Sequence, residues 1–156
     1  MRKIKLGIYL ILVFSLAMPV TPAVAAGPKA VHIEAYEEIG DPLFPGPWSA
    51  SGPAVDAGLL CNGGTVIDTS VTTSGPSSGT TRRLRVNKHF TCGDGSGTFD
   101  IYLSVKLDLI TSYTTANWKI VGGTGAYAGL SGRGKLQGTP VVPGLSINDV
   151  YNGKLH

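Results

Sequence analysis

The sequence predicts an all-β domain, an eight-stranded antiparallel barrel, with a two-sheet β-sandwich as the alternative. Three observations carry this reading. Apolar and polar residues alternate with period two along most of the chain, helical periodicity is almost absent, and glycine and proline punctuate the alternating segments. Turn-rich links between eight short-to-medium strands leave only a closed barrel or a two-sheet stack as ways to bury one face of each strand.

The strands are expected in order at Val31 to Glu38, Trp48 to Ser51, Gly64 to Val71, Arg83 to Phe90, Thr98 to Ile110, Ala116 to Val121, Gly132 to Gly138 and Asp149 to Leu155. The longest shows the pattern best. Phe99, Ile101, Leu103, Val105, Leu107 and Leu109 share one face, and Thr98, Asp100, Tyr102, Ser104, Lys106 and Asp108 share the other. Before it, Leu84, Val86, Lys88 and Phe90 alternate with Arg83, Arg85, Asn87 and His89, and the turn Gly93-Asp94-Gly95-Ser96-Gly97 joins the two as a hairpin. Gly132 and Gly134 favour the barrel, because glycine lets a strand bend where a small cylinder closes. The proline-rich stretch Gly40 to Pro47 reads as a rigid loop and the Ser/Thr/Gly-rich stretch Thr72 to Thr80 as a mobile surface loop.

The chain has 156 residues, 42% hydrophobic and 15% charged, which fits one globular domain. Arg2, Lys3 and Lys5 precede an apolar run from Leu6 to Val20, with small residues at Ala23, Ala25 and Ala26. This is the pattern of a secretory signal peptide over residues 1–26, so the expected domain is 27–156 and its destination is secreted or periplasmic. Without the leader, ten Lys plus Arg face ten Asp plus Glu. A formally neutral domain argues against a nucleic-acid partner, and its one dense basic stretch, Arg82, Arg83, Arg85 and Lys88, reads as a solvated strand face. No further apolar stretch of that length follows, so no membrane association is expected after cleavage.

Export also sets the expectation for the two cysteines. Cys61 and Cys92 should form a disulfide, since an oxidising compartment pairs them and leaves none over. A metal or redox site fits poorly, because there is no C-x-x-C and only His32, His89 and His156 are available as partners. His32 and His89 fall opposite the apolar faces, as exposed or hydrogen-bonded residues would. Asp94, Ser96, Thr98 and Asp100 alternate like a calcium loop, but Val105 stands where the bidentate acid belongs, so no metal is expected. The same turn lacks the G-x-S-x-G spacing of a serine nucleophile.

Gly123, Gly125 and Ala128 satisfy G-x-G-x-x-A directly after a strand. A dinucleotide site needs a helix there to aim N–H groups at pyrophosphate, and the glycines that continue to Gly138 oppose one. No cofactor is expected. The same segment, Gly122-Gly123-Thr124-Gly125 followed by Tyr127, Gly129, Gly132 and Lys135-Leu136-Gln137, resembles the G-G-(T/S)-G hairpin of the allene oxide cyclase and dirigent barrel superfamily. Exported bacterial members are similar in a Cys-Gly-Asp-Gly-Ser-Gly-Thr-Phe segment, here Cys92 to Phe99, and in an Asp-x-Tyr-x-Gly ending, here Asp149, Tyr151 and Gly153. With the Trp118 strand, the resemblance spans Cys61 to the C-terminus.

That resemblance implies an eight-stranded barrel that holds a molecule in a shaped cavity; in the plant branches this serves either isomerisation of a fatty-acid epoxide or steering of radical coupling. It also implies a homo-oligomer, because plant members are often trimers. The cyclase pattern Tyr-Glu-x-Asn is matched at Tyr36 and Glu37 only, with Ile39 in the Asn position. A noncatalytic module for a small apolar ligand, or a structural or interaction module, is therefore expected first, and an isomerase or cyclase acting in the cavity second.

Two residues are candidate ligand contacts. Glu37 shares its face with Val31, Ile33, Ala35 and Ile39, so a regular strand would aim a carboxylate into an apolar surface and raise its pKa. The alternative, favoured from sequence, ends the strand near Tyr36 and leaves Glu37 solvated beside Pro42. Trp118, on a face with Ala116 and Ile120, is a core residue that would line any cavity the barrel holds.

Overall fold

A computed structural model describes residues 27–39, 44–75 and 79–156. The leader assigned to residues 1–26 lies outside the described residues. Eight antiparallel strands follow in chain order: β1 Lys29–Glu38, β2 Gly46–Ser51, β3 Gly63–Thr73, β4 Thr81–Cys92, β5 Thr98–Asp108, β6 Thr114–Gly123, β7 Gly132–Val142 and β8 Ser146–Leu155. Each pairs with its neighbour, and β1 pairs with β8 over its whole length, from Lys29 opposite Leu155 to Glu38 opposite Ser146. The sheet closes into a barrel, and the sandwich alternative is set aside.

Period two decides which side chains enter. β5 turns Phe99, Ile101, Leu103 and Val105 inward, β4 turns Val86, Lys88, Phe90 and Cys92 inward, and β1 contributes Val31, Ile33, Ala35 and Glu37. The outer wall carries Arg83, Arg85, Lys106, Lys119 and Lys135. A membrane-spanning barrel needs an apolar band there, so this polarity is the reverse of one.

Three element boundaries differ from expectation, and two short helical turns are additional. Leu109 does not extend the inner face of β5, because the strand stops at Asp108, whose carboxylate accepts from the Ile110 and Thr111 N–H groups in the turn. Thr72 and Thr73 belong to β3, paired with Arg85 and Leu84, and the surface loop begins after them; residues 76–78 lie outside the described residues. Gly46 and Pro47 likewise open β2 rather than close a loop, while residues 40–43 lie outside the described residues. A four-residue helix, α1 Pro53–Asp56, and one 3-10 turn, Gly125–Tyr127, were not anticipated. That single turn is all that follows the glycine cluster, far from the helix that pyrophosphate binding requires.

One end of the barrel is plugged. Phe90 stacks on Phe99 at 4.8 Å between ring centroids, and Trp48, Tyr127 and Tyr151 meet this pair edge-on. The connections at this end are tied across it. Cys61, between β2 and β3, forms a disulfide with Cys92 at the end of β4, and the Tyr127 hydroxyl accepts from the Cys61 N–H at 3.1 Å. Gly125 takes a positive φ of 58°, which lets the Ala126 N–H reach the Ser96 carbonyl.

Gly134 also has a packing reason. A Cβ there would stand 2.7 Å from Trp118 Nε1 and 2.7 Å from the Cα of Gly153, so the pair of glycines makes room for an indole between β6, β7 and β8.

Candidate functional site

The other end of the barrel is open. A cavity of about 410 Å³ enters between the β1–β2, β3–β4, β5–β6 and β7–β8 connections. Its wall is built from inward positions of β4, β5, β7 and β8, among them Leu84, Val86, Leu103, Val105, Leu136 and Ile147. It stops at a polar floor formed by Lys88, Asp68 and Asp149.

Each floor residue is placed by strand register. Lys88 lies on the inward face of β4 between Val86 and Phe90, directly opposite Asp68 of β3. A bulge between Asp68 and Ser70 ends the regular alternation of β3 at that point. Asp149 opposes Ala35 of β1, while Glu37, two residues further along the same face of β1, opposes Ile147. Four charged side chains from four strands thus converge at one level of the barrel.

The Lys88 ammonium is buried and is surrounded by carboxylates. It donates to Glu37 Oε2, stands 2.8 Å from Asp68 Oδ1 and lies 3.7 Å from Asp149 Oδ2. Asp68 Oδ1 is held by this ion pair and takes no further hydrogen bond. Glu37 Oε1, Asp149 Oδ1 and the Tyr151 hydroxyl are buried without a partner. Polar atoms withdrawn from water without a partner are costly, and a group of them around one cavity floor defines where a polar ligand atom would be stabilised.

Burial pushes the Glu37 carboxyl up to about 7, with Lys88 pulling it down and Asp68 and Asp149 pushing it further up. Burial raises Asp149 as well, against the pull of Lys88. Burial alone would lower the Lys88 ammonium, but the charges of Glu37, Asp68 and Asp149 outweigh it and hold the group above its ordinary value. Tyr151 is raised by burial and by the same acids.

These shifts give a prediction with a definite sign. Below about pH 4.5 Glu37 is protonated in both folded and unfolded chains; between 4.5 and about 7 the unfolded chain releases the proton while the folded one keeps it. Stability therefore falls as pH rises through that window, and Asp149 adds to the fall in the same direction. Lys88, Asp68, Asp149 and Tyr151 all face the group. Denaturant unfolding of Glu37→Gln should show a shallower decline across the window than the unsubstituted protein, and equal slopes would contradict the assignment.

No protein-family model and no curated protein sequence matches this chain.

The structure places Glu37 inside, correcting the favoured reading of a solvated residue. β1 runs through it to Glu38, and its partner Lys88 is likewise inside rather than on the solvated face expected for the basic stretch. Trp118 is buried at the level of Tyr151, 6.3 Å away between ring centroids, with its Nε1 donating to the Lys135 carbonyl; it does not line the open cavity. Lys88, Asp68 and Asp149 are site residues that the sequence pattern does not single out. For Lys88 the signal was there, since a lysine among Leu84, Val86 and Phe90 at period two must either interrupt the apolar face or find partners inside.

His32 bonds Asn152 at 2.9 Å and Glu34 at 3.0 Å, and His89 bonds Asp100 at 2.7 Å, all on the outer wall. Asp94 accepts from the Ser96 N–H at 2.9 Å, as a turn-forming aspartate does. It also lies near the sulfurs of Cys61 and Cys92, but those are bonded to each other and are not thiolate ligands.

Proposed function

We propose that this protein is an exported, noncatalytic binding barrel that holds one small, mostly apolar molecule in its open cavity, with a hydrogen-bond-donating group of that molecule seated on the carboxylates of the floor. The observation that carries this reading is the combination of an apolar wall with buried, unpartnered acceptors at its inner end. The cavity volume falls within the range of about 300–1,000 Å³ common to small-molecule sites. A carboxylate-headed ligand is disfavoured, because Lys88 already faces three acids. The likeness of the Gly122–Gly125 hairpin to the allene oxide cyclase and dirigent barrels, which work through a shaped cavity, adds support. So does the disulfide, which suits an oxidising, exported setting.

An environment-sensitive apolar dye tests the reading. The unsubstituted protein should bind it with a fluorescence increase, and Val105→Trp, which fills the cavity from β5 between Leu84 and Ala116, should lower the affinity by roughly tenfold or more. Equal binding by the two proteins would place the dye elsewhere and contradict the proposal.

The Glu37 carboxyl, raised to about 7 and bonded to the Lys88 that forms the cavity floor though not itself lining the cavity, favours a second reading, an isomerase or cyclase in which Glu37 exchanges a proton with a substrate by way of that floor. Loss of turnover in Glu37→Gln with dye binding retained would favour the enzyme. Unchanged turnover of every candidate substrate would remove its main support.

A further inference from the structure

Exposed large apolar side chains are distributed very unevenly over this barrel. Among the described residues eleven are exposed, and all but Val121 belong to the β1–β2, β5–β6 and β7–β8 connections at the cavity mouth or lie within two residues of a strand end at that mouth, as Val71 of β3 does. The most prominent are Phe44, Ile110 and Leu145, at 66%, 75% and 64% exposure, each from a different connection. Ile39, Tyr113 and Val141 stand beside them. A crown of this kind, confined to one end and drawn from separate turns, is more than the scattered apolar exposure of an ordinary surface.

Charge supplies the second observation, on the β4–β5 side of the mouth, where three cations outnumber Asp108; the exposed Glu38 stands at the end of β1, four strands from β5. Arg82 and Arg83 are exposed at the start of β4, immediately below the crown, and register places Arg83 opposite the exposed Lys106 of β5. Apolar side chains projecting beyond a set of cations match the layered chemistry of an anionic bilayer surface, with acyl chains below and phosphates above. A protein partner would more commonly meet a continuous packed face, whereas these tips are separate. The crown also encircles the opening of the apolar cavity, so the two form one continuous apolar path.

We propose that the mouth end of the barrel docks on an anionic lipid bilayer, inserting the crown at the boundary between headgroups and acyl chains while Arg82, Arg83 and Lys106 meet phosphates. This departs from the sequence-based expectation that the exported domain has no membrane contact. It stands on residues other than the cavity floor, and Ile110 and Leu145 do not line the cavity.

Flotation of the exported protein with vesicles tests it. Vesicles of phosphatidylglycerol and phosphatidylcholine in equal parts should carry the protein upward, and vesicles of phosphatidylcholine alone should carry it far less. An Ile110→Ser, Leu145→Ser double variant should lower binding at least tenfold, and Arg82→Ser roughly fivefold. Both variants should keep the circular dichroism and the cavity dye binding of the parent, which separates a failed docking face from a failed cavity. Absence of flotation with the mixed vesicles overturns the proposal, as does unchanged flotation of the double variant. A concentration-dependent dimer abolished by the double variant, in protein that does not float, would instead assign the crown to a second copy.

Discussion

Lys88→Met should destabilise the barrel by about 3–5 kcal/mol near pH 8, because it removes the one cation that Glu37, Asp68 and Asp149 share and leaves two buried acids, Glu37 and Asp149, and the partly exposed Asp68 without it. The deficit should shrink in acid. Glu37 and Asp149 are already raised by burial, so they take up protons readily once the lysine is gone and the repulsion among them disappears. A triple variant that adds Glu37→Gln and Asp149→Asn should recover most of the loss, since replacing a buried charged cluster as a whole is often neutral where breaking it is not. Urea unfolding of the three proteins at two pH values measures all of this. Equal stability of Lys88→Met and its parent near pH 8 would mean that the ammonium is solvated rather than enclosed.

The disulfide should matter as much, for a different reason and at the other end. The bond closes a segment with a sequence separation of 31, and in the chain-entropy picture its loss costs about 3–4 kcal/mol through the unfolded state. For a domain of this size that corresponds to a fall in Tm of roughly 10–20 °C. Replacing both Cys61 and Cys92 by Ser should therefore lower Tm by that amount while leaving dye affinity in the cavity within about twofold, because the bridge lies at the plugged end beside Tyr127 and Phe99. Differential scanning calorimetry with a parallel dye titration checks both parts. A Tm change of only a few degrees would mean that the interstrand contacts at that end already fix Cys61.

Much of the fold is written in period two. Phe99, Ile101, Leu103 and Val105 announce both a strand and its inward face, and the turn Gly93 to Gly97 announces the hairpin that joins it to β4. Closure is less legible, since the ten-residue pairing of β1 with β8 joins the two ends of the domain and no local pattern encodes it. The brief helix at Pro53–Asp56 is hidden because Gly52 and Pro53 carry the same signal whether a loop or one helical turn follows. Leu109 misleads for a related reason: it keeps the alternation of β5 past the point where Asp108 has already turned the chain.

The floor of the cavity shows where sequence reading stops. A single carboxylate at the end of a strand, such as Glu37, has no visible reason to be buried until its partners are known. Lys88, Asp68 and Asp149 are supplied by three other strands and meet it only through register. Each alone is an interruption in an apolar face; together they are a charged cluster with acceptors to spare. The crown at the mouth is likewise spread over three connections and the end of β3, and only closure of the barrel gathers it to one side.

Native mass spectrometry of the protein purified from its own source tests the central claim most directly. The account predicts a small molecule retained at one copy per chain, released on collisional activation and missing from Val105→Trp prepared in the same way. Bare protein mass for both, together with no uptake of an apolar dye by the unsubstituted chain, would contradict it.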